Sequence, residues 1–411
     1  MLNRVLKDKL YCGLDIGANK LKVGLVQLKD GEPEILGAYE HPVHGFKDSC
    51  VHDLNEFSEC IHQVMTELAA KTGVHVKDIE VGLDGNLVKI RKTSAAIPLV
   101  DRGNKVIAAG DVLKLNKQAR LLGVKMEEEV LHEMPQTYLI DDINAAANPV
   151  GLYGRKLAVQ SLMVVSDVDK AKNIIKSINH AGYEVRHIFF GSYACSHLLL
   201  TPNQRRNGCV LIDMGATVTS ILVFHEGIIK YVHAIPIGGQ QLTKDIALRL
   251  KLNFELAEEI KRSYATAVSS QIQEEEVLVK RDNAYMPIKH GEIYEAIADR
   301  LDSLIGQIDD SIRASNLYEY LGSGIRITGG GALLPGLIER IEEKTRLEVS
   351  LAQIQQLTPR NVSNAAVFAT AVSCAHRGWQ FQDQGQMTAE QHVDWGRRLI
   401  NKVKELYFEY F

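Results

Sequence analysis

Leu14-Asp15-Ile16-Gly17 and Ile212-Asp213-Met214-Gly215 are two copies of one phrase: each closes an apolar run and opens into small or hydroxyl-bearing residues. The aspartates stand 198 positions apart (213 minus 15), about one typical domain length. A strand ending in Asp places a carboxylate at the end of a sheet, and the glycine after it lets the backbone turn tightly enough for its N–H groups to approach a phosphate. A carboxylate repels phosphate unless a cation stands between, so the pair implies a Mg²⁺ held by Asp15 and Asp213 through waters. One Asp-x-Gly is an ordinary hairpin turn. Two in corresponding settings read as a duplicated fold, with two phosphate-facing hairpins looking at each other across a cleft.

Composition narrows the class. At 411 residues, 45% of them hydrophobic and 24% charged, the chain is expected to build roughly two to four domains or subdomains. A net charge of -4 gives no basic face of the kind nucleic acid requires, so no nucleic-acid partner is expected. Six cysteines without a CxxC pair fit a reducing compartment and predict neither a disulfide framework nor a thiolate metal site. The sequence has no run of about 18 apolar residues and no signal-peptide core at its start, which predicts a cytosolic protein unless something tethers it.

Periodicity gives the organisation. Three strand-like runs between residues 11 and 39, helical spacing at Leu54, Phe57, Ile61, Val64 and Leu68, and a strand near 79–83 make a βββαβ unit. The unit returns at 209–213, 218–224 and 228–235, followed by a helix at 240–250. Between the copies, residues 85–156 change rhythm and end in the turn-rich Asn148-Pro149-Val150-Gly151-Leu152-Tyr153-Gly154, the mark of an inserted α+β domain. Later, Gly329-Gly330-Gly331-Ala332 separates a strand from a helix, where bare backbone can pass close to a flat ligand. Glu258 and Lys261 stand three apart on one helix face.

The order of these pieces (Asp15 loop, insertion, Asp213 loop, Gly238-Gly239 turn, Glu258/Lys261 helix, late glycines) resembles the actin/Hsp70/sugar-kinase superfamily. The resemblance implies an α/β chain with a duplicated actin-like (ribonuclease H-like) fold, and an ATP and Mg site at Asp15, Gly17, Asn19, Lys20, Asp213, Gly215, Ala216, Thr217, Gly239, Glu258, Lys261, Gly329, Gly330, Gly331 and Ala332. Within that superfamily, Val130-Leu131-His132-Glu133-Met134-Pro135-Gln136, the Asn148-to-Leu152 stretch and Gly239 with Thr243-Lys244-Asp245-Ile246-Ala247 resemble the FtsA family of bacterial cell-division proteins. That likeness implies subdomain IA at 1–84, 157–205 and 362–377, inserted subdomain 1C at 85–156, IIA at 206–250 and 318–361, and IIB at 251–317. It also implies partners: the FtsZ C-terminal peptide on IIB, further copies in an actin-like protofilament, and later division proteins through 1C. The family usually reads Asp-Ile-Gly-Gly-Gly-Thr and then an acidic residue, where this chain has Asp213-Met214-Gly215-Ala216-Thr217-Val218-Thr219-Ser220. Thr217 adds a β-branched side chain where phosphate must come close, and Ser220 removes a carboxylate. The expectation is ATP binding with slow turnover at most.

Residues 378–393 are rich in Gln and read as a flexible linker, and 394–411 as an amphipathic helix. Trp395, Leu399, Val403, Leu406, Tyr407 and Tyr410 form one stripe flanked by Arg397, Arg398, Lys402 and Lys404, the pattern of a helix lying in the headgroup plane of an anionic membrane. Six half-buried apolar side chains contribute roughly 5–9 kcal/mol, largely offset by ordering at about 1 kcal/mol or more per residue. A single copy should bind reversibly, and a polymer far more tightly. The expected location is the cytoplasmic face of the cell membrane at the division site. The alternative is a PilM-type actin-like adaptor of a pilus or secretion assembly, for which no terminal amphipathic helix is expected.

Overall fold

The computed structural model describes residues 9–29, 32–99, 105–271, 276–281, 284–354, 357–359 and 365–383. They form two compact units, one from the described residues of 1–197 with 357–359 and 370–383, the other from 198–354 with 365–369. The proposed linker beyond Asp383 and the terminal helix at 394–411 lie outside the described residues.

In the first unit, the apolar run ending at Asp15 becomes the strand Lys9–Ile16, with Leu14 and Ile16 fully buried. It pairs antiparallel with Lys20–Lys29, which pairs with Glu32–Pro42. On its other side it pairs parallel with Asp78–Leu83, which in turn pairs with Glu184–Phe190. The second unit repeats this order: Ile228–Ile235, Thr219–His225, Cys209–Met214, Ile325–Thr328 and Val349–Leu351. Asp15 faces Lys22 across its hairpin and Gly82 in the parallel neighbour; Asp213 faces Ser220 and Thr328. Each aspartate therefore occupies the same place in its sheet, the last turn of a central strand where hairpin and parallel halves meet.

Between the two sheet copies, the strands Asn144–Ala146, Glu128–Ile140, Lys156–Asp167 and Val88–Pro98 form a separate antiparallel sheet covered by the helix Ala109–Gly123. Leu115 and Ala119 of that helix bury against Ile97, Tyr138, Leu157 and Val159. This corrects the expected boundary at 156: Lys156–Asp167 pairs with Val88–Pro98 from Lys156 to Ser166, so residues 157–167 belong to the insertion. The reason is strand length, because one unbroken β-ladder cannot be divided between two sheets without leaving its backbone groups unpaired.

A second correction concerns the last helix, which runs Ala369–Asp383 and so includes residues 378–383 of the expected linker. It rests on a floor of glycines from three adjacent strands. A Cβ on Gly13 would lie 1.9 Å from the Ala371 carbonyl oxygen, one on Gly24 2.8 Å from Val372 Cγ2, and one on Gly82 2.9 Å from Cys374 Sγ. Gly378 is equally confined, 2.4 Å from Glu80 Oε1 by the same measure. Three residues on, Phe381 packs against Phe189 with ring centroids 5.9 Å apart and lies under the Arg377 guanidinium at 4.7 Å. Burial against these rings keeps the polar segment helical where composition alone suggested a linker.

In the second unit the helix His290–Ala314 presents Ile293, Ile297, Leu301, Leu304, Ile308 and Ile312 at helical spacing to one core shared with Val210, Ile212, Ile325 and Ile327. The residues proposed as subdomain IIB thus contribute to the same core as the sheet. Among the described residues, no helix is long and apolar enough to cross a membrane.

Two outcomes follow from this packing. Gly13→Ala forces its new carbon into a backbone carbonyl and is expected to destabilise by about 3 kcal/mol or more, whereas Gly306→Ala, inside a helix with nothing within 4 Å, is expected to stabilise by about 0.5–1 kcal/mol; urea titration measures both. His376 is 2% exposed, and burial, helped by the adjacent Arg377 charge, pushes its pKa down from 6.5 to about 4. The unfolded chain therefore takes up this proton first as pH falls, so stability is intact above about pH 6.5 and lost progressively toward pH 4, by about 3 kcal/mol. Measured against pH, His376→Gln should lack this share of the acid loss.

Candidate functional site

The surroundings of Asp213 are built mainly from backbone. Asp213 is half-buried at the end of Cys209–Met214, and the following turn closes as the Gly215 N–H donates to the Val218 carbonyl at 2.9 Å. The helix Gly239–Leu250 then docks its first two N–H groups into that turn: Gly239 donates to the Gly215 carbonyl at 3.0 Å and Gln240 to the Ala216 carbonyl at 2.7 Å. Helix N-termini carry N–H groups with no partner inside the helix, and the hairpin supplies two of the missing acceptors. Gly238 makes this approach possible, since a Cβ there would lie 2.5 Å from the Gly215 oxygen.

The late glycines close on the same aspartate. Gly329 has φ 90°, a backbone region that favours glycine, and its Cβ would lie 2.8 Å from Asp213 Oδ1 and 2.5 Å from the Met214 carbonyl. A Cβ on Gly331 would meet the Met214 side chain at 2.5 Å, while Gly330 faces open space. Ala332 is 3% exposed and its side chain belongs to the core. Residues 330–333 form a 3₁₀ turn, so the helix expected after the glycine run begins only at Leu337.

Glu258 and Lys261 lie on the helix Phe254–Tyr264, started by Asn253, whose side chain accepts from the Leu256 N–H. Lys261 Nζ donates to the Gly239 carbonyl at 2.9 Å, Thr243 Oγ1 at 2.7 Å and Glu258 Oε2 at 2.6 Å. Three acceptors match the three N–H bonds of an ammonium. Burial lowers the Lys261 pKa from the usual lysine range, and the bond to Glu258 opposes that shift. Glu258 also pairs with Arg262 at 3.2 Å. Lys261 therefore ties the helix that carries it to the start of Gly239–Leu250, and through it to the Asp213 turn. Thr243 and Gly238 were not among the expected site residues; the signal was present in the placement of Thr243 one helical turn after Gly239, where its hydroxyl points back along the same face.

Asp15 and the expected residues that follow it belong to the other unit. Asp15 is half-buried, and a Cβ on Gly17 would lie 2.8 Å from the Lys20 carbonyl oxygen, which fixes a tight turn. The Asn19 carbonyl accepts from the Val43 N–H at 3.2 Å, anchoring the turn to the end of Glu32–Pro42. Lys20, expected to face phosphate, forms an ion pair with Glu40. The residues Asp213, Gly215, Ala216, Thr217, Gly239, Glu258, Lys261 and Gly329–Gly331 are thus gathered in one unit, and Asp15, Gly17, Asn19 and Lys20 in the other. The ten tail residues named between Trp395 and Tyr410 lie outside the described residues.

Residues 210–373 match the family model described as cell division protein FtsA, and residues 85–165 match that of the SHS2 domain inserted in FtsA. The chain belongs to the FtsA family. The cell division protein FtsA of Pseudomonas aeruginosa is 28% identical over 93% of this chain and 92% of its own length. That of Escherichia coli K12 is 26% identical over 97% and 98%. Among solved structures, the PilM-PilN type IV pilus biogenesis complex matches with a TM-score of 0.67 at 17% identity, covering 90% of this chain and 98% of that one. MreB5 of Spiroplasma citri bound to ADP matches with 0.52 at 11%, covering 92% and 97%. These two likenesses show the actin-like fold; the sequence matches place this FtsA-family chain among cell-division proteins.

The Lys261 network predicts energetic coupling. Lys261→Met should cost about 1–3 kcal/mol by leaving buried acceptors unpaired, and Thr243→Val should cost at least about 0.5 kcal/mol less in the Lys261→Met background than alone. A double-mutant cycle by urea denaturation measures this.

Proposed function

We propose that this chain is an actin-like ATP-binding cell-division protein that polymerises on the cytoplasmic face of the cell membrane at the division site and tethers FtsZ filaments to it. The observation that carries the nucleotide reading is the Asp213 turn, held by Gly238 and Gly239 on one side and overlaid by Gly329 on the other, a cradle that a Cβ would fill. MreB5, which shares the fold, is bound to ADP in its solved structure.

The donor set fits Mg²⁺ of the kind that keeps several waters and is completed by phosphate oxygens. Among the described residues no cluster of three or more His, Cys, Asp or Glu converges, and each unit supplies one carboxylate, Asp15 and Asp213. When bound, Mg²⁺ would neutralise phosphate charge; the carboxylates would orient its waters. Glu258 offers an acceptor for ribose hydroxyls while Lys261 fixes its position, and Gly330 leaves room for the nucleoside. Ser220, buried opposite Asp213, supplies no carboxylate to activate water, so turnover is slow at most.

In the same reading the stripe from Trp395 to Tyr410 binds anionic inner-membrane lipid, residues 251–317 receive the FtsZ C-terminal peptide, and the inserted domain meets the neighbouring subunit and later division proteins. Weak single-copy membrane binding then becomes firm only in the filament.

Calorimetry tests the core of the proposal. Mg-ATP should bind the full chain, and Asp213→Asn should weaken Mg-ATP at least about tenfold while changing metal-free ATP binding little. Absence of heat at millimolar Mg-ATP, or equal loss with and without Mg²⁺, would overturn it.

A further inference from the structure

The helix Ala109–Gly123 of the inserted domain uses only one side to cover its sheet. On the other, Leu113 is 53% exposed and Leu121 67%; Leu122, at the end of the helix, is 65% exposed, and Met126 in the following turn 101%. Lys114, Lys117 and Lys125 stand exposed among them, and no exposed position from 112 to 126 carries a carboxylate; Glu127 is the first. At 100° per residue Leu113, Lys117, Leu121 and Lys114 fall within about a third of the helix circumference; Leu122, about 80° beyond Lys114, is exposed because the helix ends one residue later. The remaining cation of this stretch, Arg120, is already paired with buried Glu133 at 2.9 Å.

Shape and charge select the occupant. A peptide-binding site needs walls, and these side chains protrude; Met126 is as open as in an extended peptide. A second copy of the same face would oppose lysine to lysine, and the chain's own tail, with Arg397, Arg398, Lys402 and Lys404 against Asp394, Glu405 and Glu409, offers no net negative charge to the lysines. Apolar side chains projecting between lysines instead match an anionic headgroup layer with acyl chains beneath it. We propose that this ridge inserts into an anionic bilayer, a second lipid contact on the inserted domain that is independent of the segment 394–411.

The test places an environment-sensitive fluorophore on the full chain through Met126→Cys, with Cys50→Ser because the other five cysteines are buried. Vesicles of phosphatidylglycerol with phosphatidylcholine should blue-shift its emission, pure phosphatidylcholine should not, and high salt should reverse the shift. Leu121→Asp/Leu122→Asp, two exposed changes that circular dichroism should show leave the fold intact, should raise the lipid concentration for half effect roughly tenfold or more. In a Leu399→Asp/Leu406→Asp chain the shift should persist at higher lipid. No shift at position 126 on any vesicle, whether or not the chain floats with them, overturns the proposal. So does a shift that appears without lipid as protein concentration rises, which marks a second copy, or its disappearance at every lipid concentration in the tail variant.

Discussion

Two hydrogen bonds from the start of Gly239–Leu250 to the Gly215 and Ala216 carbonyls set the geometry of the turn after Asp213. A hairpin turn at the end of a strand is ordinarily among the more mobile parts of a fold. Here the turn accepts the N–H groups that a helix cannot satisfy internally, so both elements lose their freedom together. Lys261 extends the constraint by binding the Gly239 carbonyl, Thr243 and Glu258 at once. Moving Asp213 would break contacts on three elements, and such coupling suits a site where a carboxylate must meet a metal-bound phosphate at fixed distance.

The first unit achieves rigidity by a different device. Its closing helix lies on Gly13, Gly24 and Gly82, so backbone approaches backbone with no side chain between. The described part of that helix reaches Asp383, and the proposed membrane segment begins at 394. Under the proposed function, tension on the tail would be borne by the buried face of this helix, where Ala371, Val372, Cys374 and Ala375 are fully enclosed.

Sequence reading was strongest where a residue's chemistry and its position were coupled. The duplicated Asp-Gly phrase marked both sheets, because one such phrase is an ordinary turn while two in corresponding settings point to a repeated unit, and the spacing of Leu54 to Leu68 marked the helix Leu54–Thr72. It was weaker where tertiary contacts override local composition. Residues 378–383 look like linker because the Glu80 carboxylate and the Phe189 ring that hold them are remote in sequence. The Lys20–Glu40 ion pair is not legible in the sequence because Glu40 becomes a neighbour of Lys20 only when the strands pair. For Thr243 the spacing from Gly239 is readable in the sequence, but its partner Lys261 arrives only from another helix.

The account stands on the two aspartates serving one bound nucleotide. A crystal structure of the full chain with Mg²⁺ and a non-hydrolysable ATP analogue measures this directly. The account predicts the β- and γ-phosphates beside both the Gly17 and Gly215 turns, with Asp15 and Asp213 reaching the same Mg²⁺ through its waters. A nucleotide bound away from these turns, or the two carboxylates opening onto separate surfaces, would contradict it.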